Sequence, residues 1–412
     1  MAIALPEQPL ISKTLHRRVV EDYERWRGGL PADLPAQLVE RYGVDLTGEY
    51  AGRPINSPFG KASGQLSLNL KQVERDVEAG LGFVVLKTVI AQDAGGQQMM
   101  REWAIHETHM KVERIVGPRS GEEGWTVTWK GRGWWDSFES YLELFAKSLE
   151  VGAERGMVVA PSVKYHLPTP DEPEFKTSEY QYTTQQLVAV WAATQSGAMP
   201  LEKDFSPTLA GSEKSKQQDQ ILLWLQSVPG LIKHATEQPI ELGLKVMNAM
   251  FDDDFQLAML RTVIEQQEPR ADFIVYANRL FDPTKEFEGK VGVAYGGPDL
   301  SLRNLALLER LQATSLAHPC QPISATGNIL DGRTAVEYGL RGCTSFQMHT
   351  LFQLPDSLFG GTMSNKTEKC LHHLYLHPES GLVPWLLHLA EQHGCRVDGL
   401  TRVLDLPRWG SG

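Results

Sequence analysis

Cysteine is scarce in this chain: four residues in 412, Cys320, Cys343, Cys370 and Cys395, with no CxxC pair and no tight cluster. That spacing argues against an iron–sulfur centre, a structural zinc and a disulfide framework, and fits a reducing cytoplasm. Long apolar runs are also missing. No window approaches the ~20 apolar residues that span a bilayer, and the start, MAIALPEQPLISKTLHRR, is interrupted by Pro and Glu and does not read as a signal peptide. Positive charge is not in excess. The net charge of −11 argues against nucleic acid as a partner, which would need clustered Lys and Arg. There is no clear NAD fingerprint. His106 and His109 stand three apart with no third ligand in sight, so no metal is expected. What remains is a soluble, cytoplasmic protein. Its 42% hydrophobic and 22% charged content is that of an ordinary globular chain long enough for a large core.

The most informative stretch is 321–352, QPISATGNILDGRTAVEYGLRGCTSFQMHTLF. Pro322-Ile323-Ser324-Ala325 predicts a buried strand, Thr326-Gly327-Asn328 a small polar turn, and DGRTAVEYGLRG a helix. A second strand, Thr344-Ser345-Phe346-Gln347-Met348, ends at His349-Thr350, where another helix is expected to start. Backbone N–H groups left unpaired at such turns stabilise an anion. Two adjacent turns can make a phosphate cup, or they can be ordinary βα loops with no ligand.

Taken in order, the chain begins with two helical, polar segments within 12–43, separated by Gly28-Gly29 and Pro31. Their thin apolar face predicts a solvated capping hairpin rather than a dock for a lipid-soluble acceptor. A strand near 58–62 runs into Ala62-Ser63-Gly64, whose small side chains admit a flat ligand close to the backbone. The apolar strand 82–88 ends in Lys87-Thr88, and its lysine either reaches the rim or points at an anion. Strands are expected around 103–107 and 125–129. The strand 157–163 runs into Lys164-Tyr165-His166, followed by Pro168 and Pro170; a stiff loop with three titratable groups suits an acid or base. Residues 171–238 exceed what a βα connection needs and read as an insertion. Ile240–Met247 carries Lys245 near its end, 272–277 stops at Asn278, and Gly296-Gly297-Pro298 forms a Gly-rich turn before a Leu-rich helix.

Counted this way, eight β elements with helices between them predict an α/β protein, a (β/α)8 TIM barrel over 44–352. An N-terminal helical extension (1–43) and a C-terminal helical tail (353–412) flank it. The tail histidines, His372, His373, His377, His388 and His393, are expected on surfaces and helix faces. The tail packs on the barrel or on a partner, and a homodimer is expected.

PFGKASG, GLGFVVLKTV, GLKVM, VYAN, YGGPDL, SATGNI and QMHTL follow the order and spacing of the dihydroorotate dehydrogenase family, which includes the pyrimidine-reducing domain of dihydropyrimidine dehydrogenase. The chain resembles that family over roughly 44–352. The resemblance implies FMN across the barrel's C-terminal mouth. Ala62, Ser63 and Gly64 would lie by the isoalloxazine and ribityl chain, with Lys87 and Thr88 beside them. Lys87 and Lys245 would bond flavin and ribityl oxygens, and Asn278 would face flavin and substrate. Gly296, Gly297, Thr326, Gly327, Asn328, His349 and Thr350 would surround the phosphate. An ammonium near the pyrimidine edge stabilises a reduced flavin's negative charge.

The family's Asn-x-Ser-Cys-Pro-Asn loop is replaced by Ser162-Val163-Lys164-Tyr165-His166-Leu167, with Tyr165 in the base position. The Asn-rich loop that grips orotate gives way to Trp129-Lys130-Gly131-Arg132-Gly133-Trp134-Trp135. Tryptophans suit a flat or apolar body, while Lys130 or Arg132 could take a carboxylate. The expected activity is therefore FMN-dependent hydride transfer between flavin N5 and a carbon of a small substrate other than dihydroorotate, acting on a CH–CH bond. Tyr165, His166 or Lys164 would handle the proton, and Lys130, Arg132, Trp134, Ser162 and Asn278 would contact substrate. A tyrosine with a reference pKa near ~10 is a better acid than base here. Two alternatives stay open: a dihydroorotate or dihydropyrimidine dehydrogenase with a substituted base, and a flavin-binding barrel without catalysis.

Overall fold

The computed structural model describes residues 3–106, 109–129, 133–169, 171–172, 174–205 and 214–410. Ten short strands form one parallel sheet: β1 (Phe59–Lys61), β2 (Phe83–Val85), β3 (Val89–Ile90), β4 (Val158–Ala160), β5 (Ser162–Lys164), β6 (Met199–Asp204), β7 (Ile240–Met247), β8 (Phe273–Asn278), β9 (Ile323–Thr326) and β10 (Cys343–Met348). Their order is β3-β5-β6-β7-β8-β9-β10-β1-β2-β4. The two end strands, β3 and β4, continue in sequence from β2 and into β5. β2 pairs with β4 and β3 with β5, so the sheet curls until its ends meet the same pair of chain segments. The result is a strongly curled, TIM-barrel-like α/β fold with twelve α-helices among the described residues.

Alternation along each strand sorts the side chains. On β7, Leu242, Leu244 and Val246 join the large apolar layer under the helices, while Gly243 and Lys245 take the concave face. Gly243 is needed there, because a Cβ would lie 2.2 Å from the Phe273 ring. A second cluster fills the concave side at one end: Phe83, Val85, Ala160, Phe273 and Val275, closed by Tyr50 and Ile55 of the hairpin Gly48–Tyr50/Arg53–Ile55. Tyr50 stacks on Phe83 with centroids 4.0 Å apart. Its hydroxyl donates to Glu202 Oε1 at 2.8 Å, and Gln347 donates to the same oxygen. The interior thus turns from apolar to polar along the strands.

The strand β6 lies inside the span expected to be an insertion. It pairs in parallel with β5 and β7 and is a member of the sheet. Its sequence, MPLEKD, hides it, since the inward positions carry Pro200, Glu202 and Asp204 in place of an apolar run. Neither segment expected as a strand, around 103–106 or at 125–129, is a member of that sheet, although the second is a strand. Arg101–Trp103 is a 3-10 turn, and Glu123–Thr128 pairs antiparallel with Lys111–Val116. A second hairpin on this side of the sheet, Leu280–Phe287 with Lys290–Tyr295, follows β8 where the sequence reading placed no strands. The helix expected at His349-Thr350 is a 3-10 turn, Leu351–Gln353.

The N-terminal helices Lys13–Arg25 and Leu34–Tyr42 are joined by the buried carboxylate of Asp22, which accepts from Arg41 Nε (2.6 Å), Arg41 Nη2 (2.7 Å) and the Tyr42 hydroxyl (2.7 Å). Two of the tail histidines expected on surfaces are buried. His372 stacks on Tyr23 and bonds its carbonyl at 2.8 Å, and His388 Nδ1 accepts from Leu10 N at 3.1 Å. Both fasten the N-terminal segment to the tail, which is why polar residues sit there. Among the described residues no helix is long and apolar enough to cross a membrane.

Candidate functional site

A cavity opens at the C-terminal ends of the parallel strands, the end where βα loops carry function in folds of this kind. From β1 and β2 come Ala62, Ser63, Lys87 and Thr88; from β6, Asp204; from β7, Lys245 and Met247; from β8, Ala277, Asn278 and Arg279. The turns Gly296-Gly297 and Thr326-Gly327-Asn328 line another side, and β10 adds Gln347, Met348, His349 and Thr350. The two hairpins roof it with Thr128, Trp129, Phe287, Gly292, Val293 and Ala294.

The roof is fastened by polar bonds. Arg279 donates to the carbonyl of Val127 in the first hairpin and to Ala294 O of the second at 3.1 Å. Its guanidinium lies 4.0 Å from the Trp129 centroid, and Trp129 packs against His349 at 4.9 Å. Thr126 Oγ1 accepts from Gly296 N at 3.0 Å. Asp299 accepts from Arg119 N (2.9 Å) and Ser120 N (2.8 Å), pinning the tip of the first hairpin to the helix Pro298–Gln312.

The two glycine turns are held from behind. Asn304 donates to Thr326 O at 3.1 Å, and the Tyr338 hydroxyl donates to Gly327 O at 2.9 Å. Gly327 has φ 123°, and a Cβ there would lie 2.7 Å from Asn304 Nδ2. Only glycine admits both constraints. Asn328, at φ 54°, donates to Ser301 Oγ at 3.0 Å. Gly297 and Leu300 bring the first turn of Pro298–Gln312 to the cavity wall, with Leu300 N bonded to Gly297 O at 3.0 Å.

Among the described lining residues Lys87, Lys245 and Arg279 stand against one carboxylate, Asp204, a formal balance of +2 within a chain of net charge −11. His349 has both ring nitrogens buried without a hydrogen-bond partner among the described residues. Burial first, then Arg279, Lys87, Lys61 and Lys245, hold its pKa well below the ordinary histidine value, so the ring is neutral. Gly64 sits beneath it; a Cβ there would meet His349 Cδ2 at 2.6 Å.

All of the cofactor residues expected from the sequence are therefore brought together, with Gly64 just behind the lining. The acid–base and substrate candidates divide. Ser162 and Lys164 face inward on β5 and Tyr165 faces outward, as alternation requires. Ser162 and Thr88 hydroxyls lie 2.9 Å apart, and Ser63 and Thr88 hydroxyls 2.8 Å apart, a chain of hydroxyls leading to the cavity. Lys164 Nζ lies 3.3 Å from Asp204 Oδ2 and 4.8 Å from the Trp103 centroid. Tyr165 is buried against the helix Thr177–Thr194, stacked on Tyr180 at 4.4 Å with its hydroxyl 2.7 Å from Thr184 Oγ1. Burial pushes its pKa well up. It does not reach the cavity. His166 sits beside Glu172, with Nε2 3.2 Å from the carboxylate, also outside the lining. Burial lowers its pKa, and the carboxylate partly offsets this. Trp134 packs on Tyr141 and donates Nε1 to Ser137 O at 2.9 Å, so its ring does not line the cavity either. Lys130 and Arg132 lie outside the described residues.

Asp204, Arg279 and Gln347 were not singled out from the sequence. The charged tripeptide Glu202-Lys203-Asp204 was the available signal for the first. The sequence matches no protein-family model and no curated protein.

Proposed function

We propose that the cavity holds FMN and that the protein is an FMN-dependent oxidoreductase on a closed (β/α)8 barrel. Counting the interrupted strands β2/β3 and β4/β5 once each leaves eight, which is what favours the closed barrel. The observation that carries the flavin reading is the convergence on one cavity of Lys87, Lys245 and both glycine turns. An anion of two negative charges matches the +2 lining, and the turns at Gly297 and Gly327-Asn328 suit a phosphate approached by backbone. The unpartnered nitrogens of His349 are what a ligand with polar edges would satisfy.

When bound, FMN supplies hydride exchange at N5 with a carbon of the substrate. Lys87 and Lys245 would stabilise negative charge on the flavin's pyrimidine edge. Trp129 and the second hairpin would exclude water from above. Of the three proton-handling candidates, Lys164 is the one joined to the lining, through Asp204, and the proton step is assigned to it. The substrate is a small molecule other than dihydroorotate, because the Asn-rich orotate loop has no counterpart here.

Purified protein should carry one FMN per chain, released on denaturation. Lys87→Ala with Lys245→Ala should lose it, and a folded double variant that retains flavin at full affinity would refute the assignment of these cations.

A further inference from the structure

We propose that Arg279 is a positioning residue that clasps the two hairpins into one lid over the cavity, and that it controls entry and release of the ligand through the shape of its guanidinium, not through its charge. Only the choice of FMN as the probe ligand rests on the flavin reading.

Arg279 stands between β8 and the second hairpin, with its backbone N–H donated to Asn278 Oδ1 at 3.2 Å. From there its side chain serves both hairpins. Nη1 donates to Ala294 O of the second hairpin at 3.1 Å, and Nη2 donates to Val127 O of the first. The same group lies 4.0 Å from the centroid of Trp129, and that ring rests on His349 at 4.9 Å. Trp129, Ala294 and Arg279 itself all line the cavity. Among the described residues the hairpins are separate two-stranded sheets, with no backbone ladder between them. Besides Arg279, Thr126 Oγ1 joins them by accepting from Gly296 N at 3.0 Å, where the second hairpin rejoins the helix Pro298–Gln312. The two leaves thus meet through side chains. A joint of that kind opens locally without unfolding the sheet beneath it.

An arginine suits this place and a lysine does not. The guanidinium is planar, so it donates in two directions within its plane while its face stacks on an indole. A lysine carries the same charge on one tetrahedral nitrogen at the end of a flexible stem, and cannot meet both carbonyls and the ring together. With the clasp closed, water is kept off Lys87 and Lys245, whose pull on a bound anion is stronger for it. A bound ligand leaves when the hairpins part, so the clasp acts on release more than on the contacts that hold the ligand.

Two variants of the full chain separate shape from charge: Arg279→Lys keeps the charge and Arg279→Met removes it. Hydrogen exchange is read by mass spectrometry with and without FMN, and FMN release by the recovery of flavin fluorescence on dilution. In the lysine variant, segments 111–128 and 280–295 should exchange at least about tenfold faster than in the unaltered protein, with β7 unchanged. FMN should leave at least about tenfold faster. The methionine variant should match the lysine one within about threefold. A lysine variant that exchanges and releases FMN like the unaltered protein overturns the proposal, whatever the methionine variant does. So does a folded variant in which β7 loosens as much as the hairpins, which is what a merely structural arginine would give. Should neither variant fold, Trp129→Leu removes the ring against the guanidinium, and unchanged exchange in both hairpins would overturn the proposal equally. If the chain takes up no FMN, the flavin reading fails, and exchange in the flavin-free chain still decides the clasp.

Discussion

Tyr165 and Lys164 show how far adjacent residues can part. Read along the sequence, both stand in one loop; on β5 the two-residue alternation sends Lys164 to Asp204 and Tyr165 to Thr184. Replacing Tyr165 by Phe should cost ~1 kcal/mol of stability in urea denaturation and leave kcat within about twofold. A stable variant whose turnover collapses would return Tyr165 to the chemistry. Gly327 and Lys87 could be read from the sequence because glycine and a strand-end lysine carry their meaning locally. Asp204 and Arg279 could not, since their importance lies in which strands they end beside. Gly327→Ala forces a Cβ against Asn304 at a φ of 123°. It should weaken FMN binding by roughly tenfold or more and cost about 1–3 kcal/mol of stability. Unchanged affinity would remove the turn from the phosphate site.

At the scale of elements, apolar strands were legible and the charged one was not. β7 announces itself through Leu242, Leu244 and Val246, whereas β6 places Glu202 and Asp204 on the concave face and reads as loop. Of the two hairpins over the cavity, the strand around 125–129 was legible; Lys111–Val116 and both strands of the other hairpin were hidden for a related reason, half-exposed strands alternating too weakly to separate them from connections. The tail helix Lys366–Leu376 and its C-terminal neighbour His377 supply a pH test. Burial, with His377 and His372 nearby, pushes the His373 pKa down to about 4, and those of His372 and His377 are lowered by burial as well. Below the ordinary histidine value the unfolded chain binds protons that the folded one does not. The stability these groups allow is full above about pH 6.5 and is lost as pH falls toward about 4. Denaturant unfolding at about pH 7.5 and about pH 5 should show the loss, and His373→Gln should flatten it. A profile that is level or improves on acidification would contradict the burial of these rings.

The molecule as a whole carries net negative charge and gathers cations into one cavity at the open end of a curled parallel sheet. Its outline was legible because strand, turn and helix repeat along the chain. The cationic balance of the cavity was not, because it sums residues from β2, β6, β7 and β8 that only folding brings together. The most direct test is an equilibrium titration of the apoprotein with FMN and with riboflavin, which differ by the phosphate. The glycine turns and the +2 lining predict that FMN binds about 100-fold tighter, or ~2.7 kcal/mol. Equal affinity for the two, or no uptake of either, would contradict it.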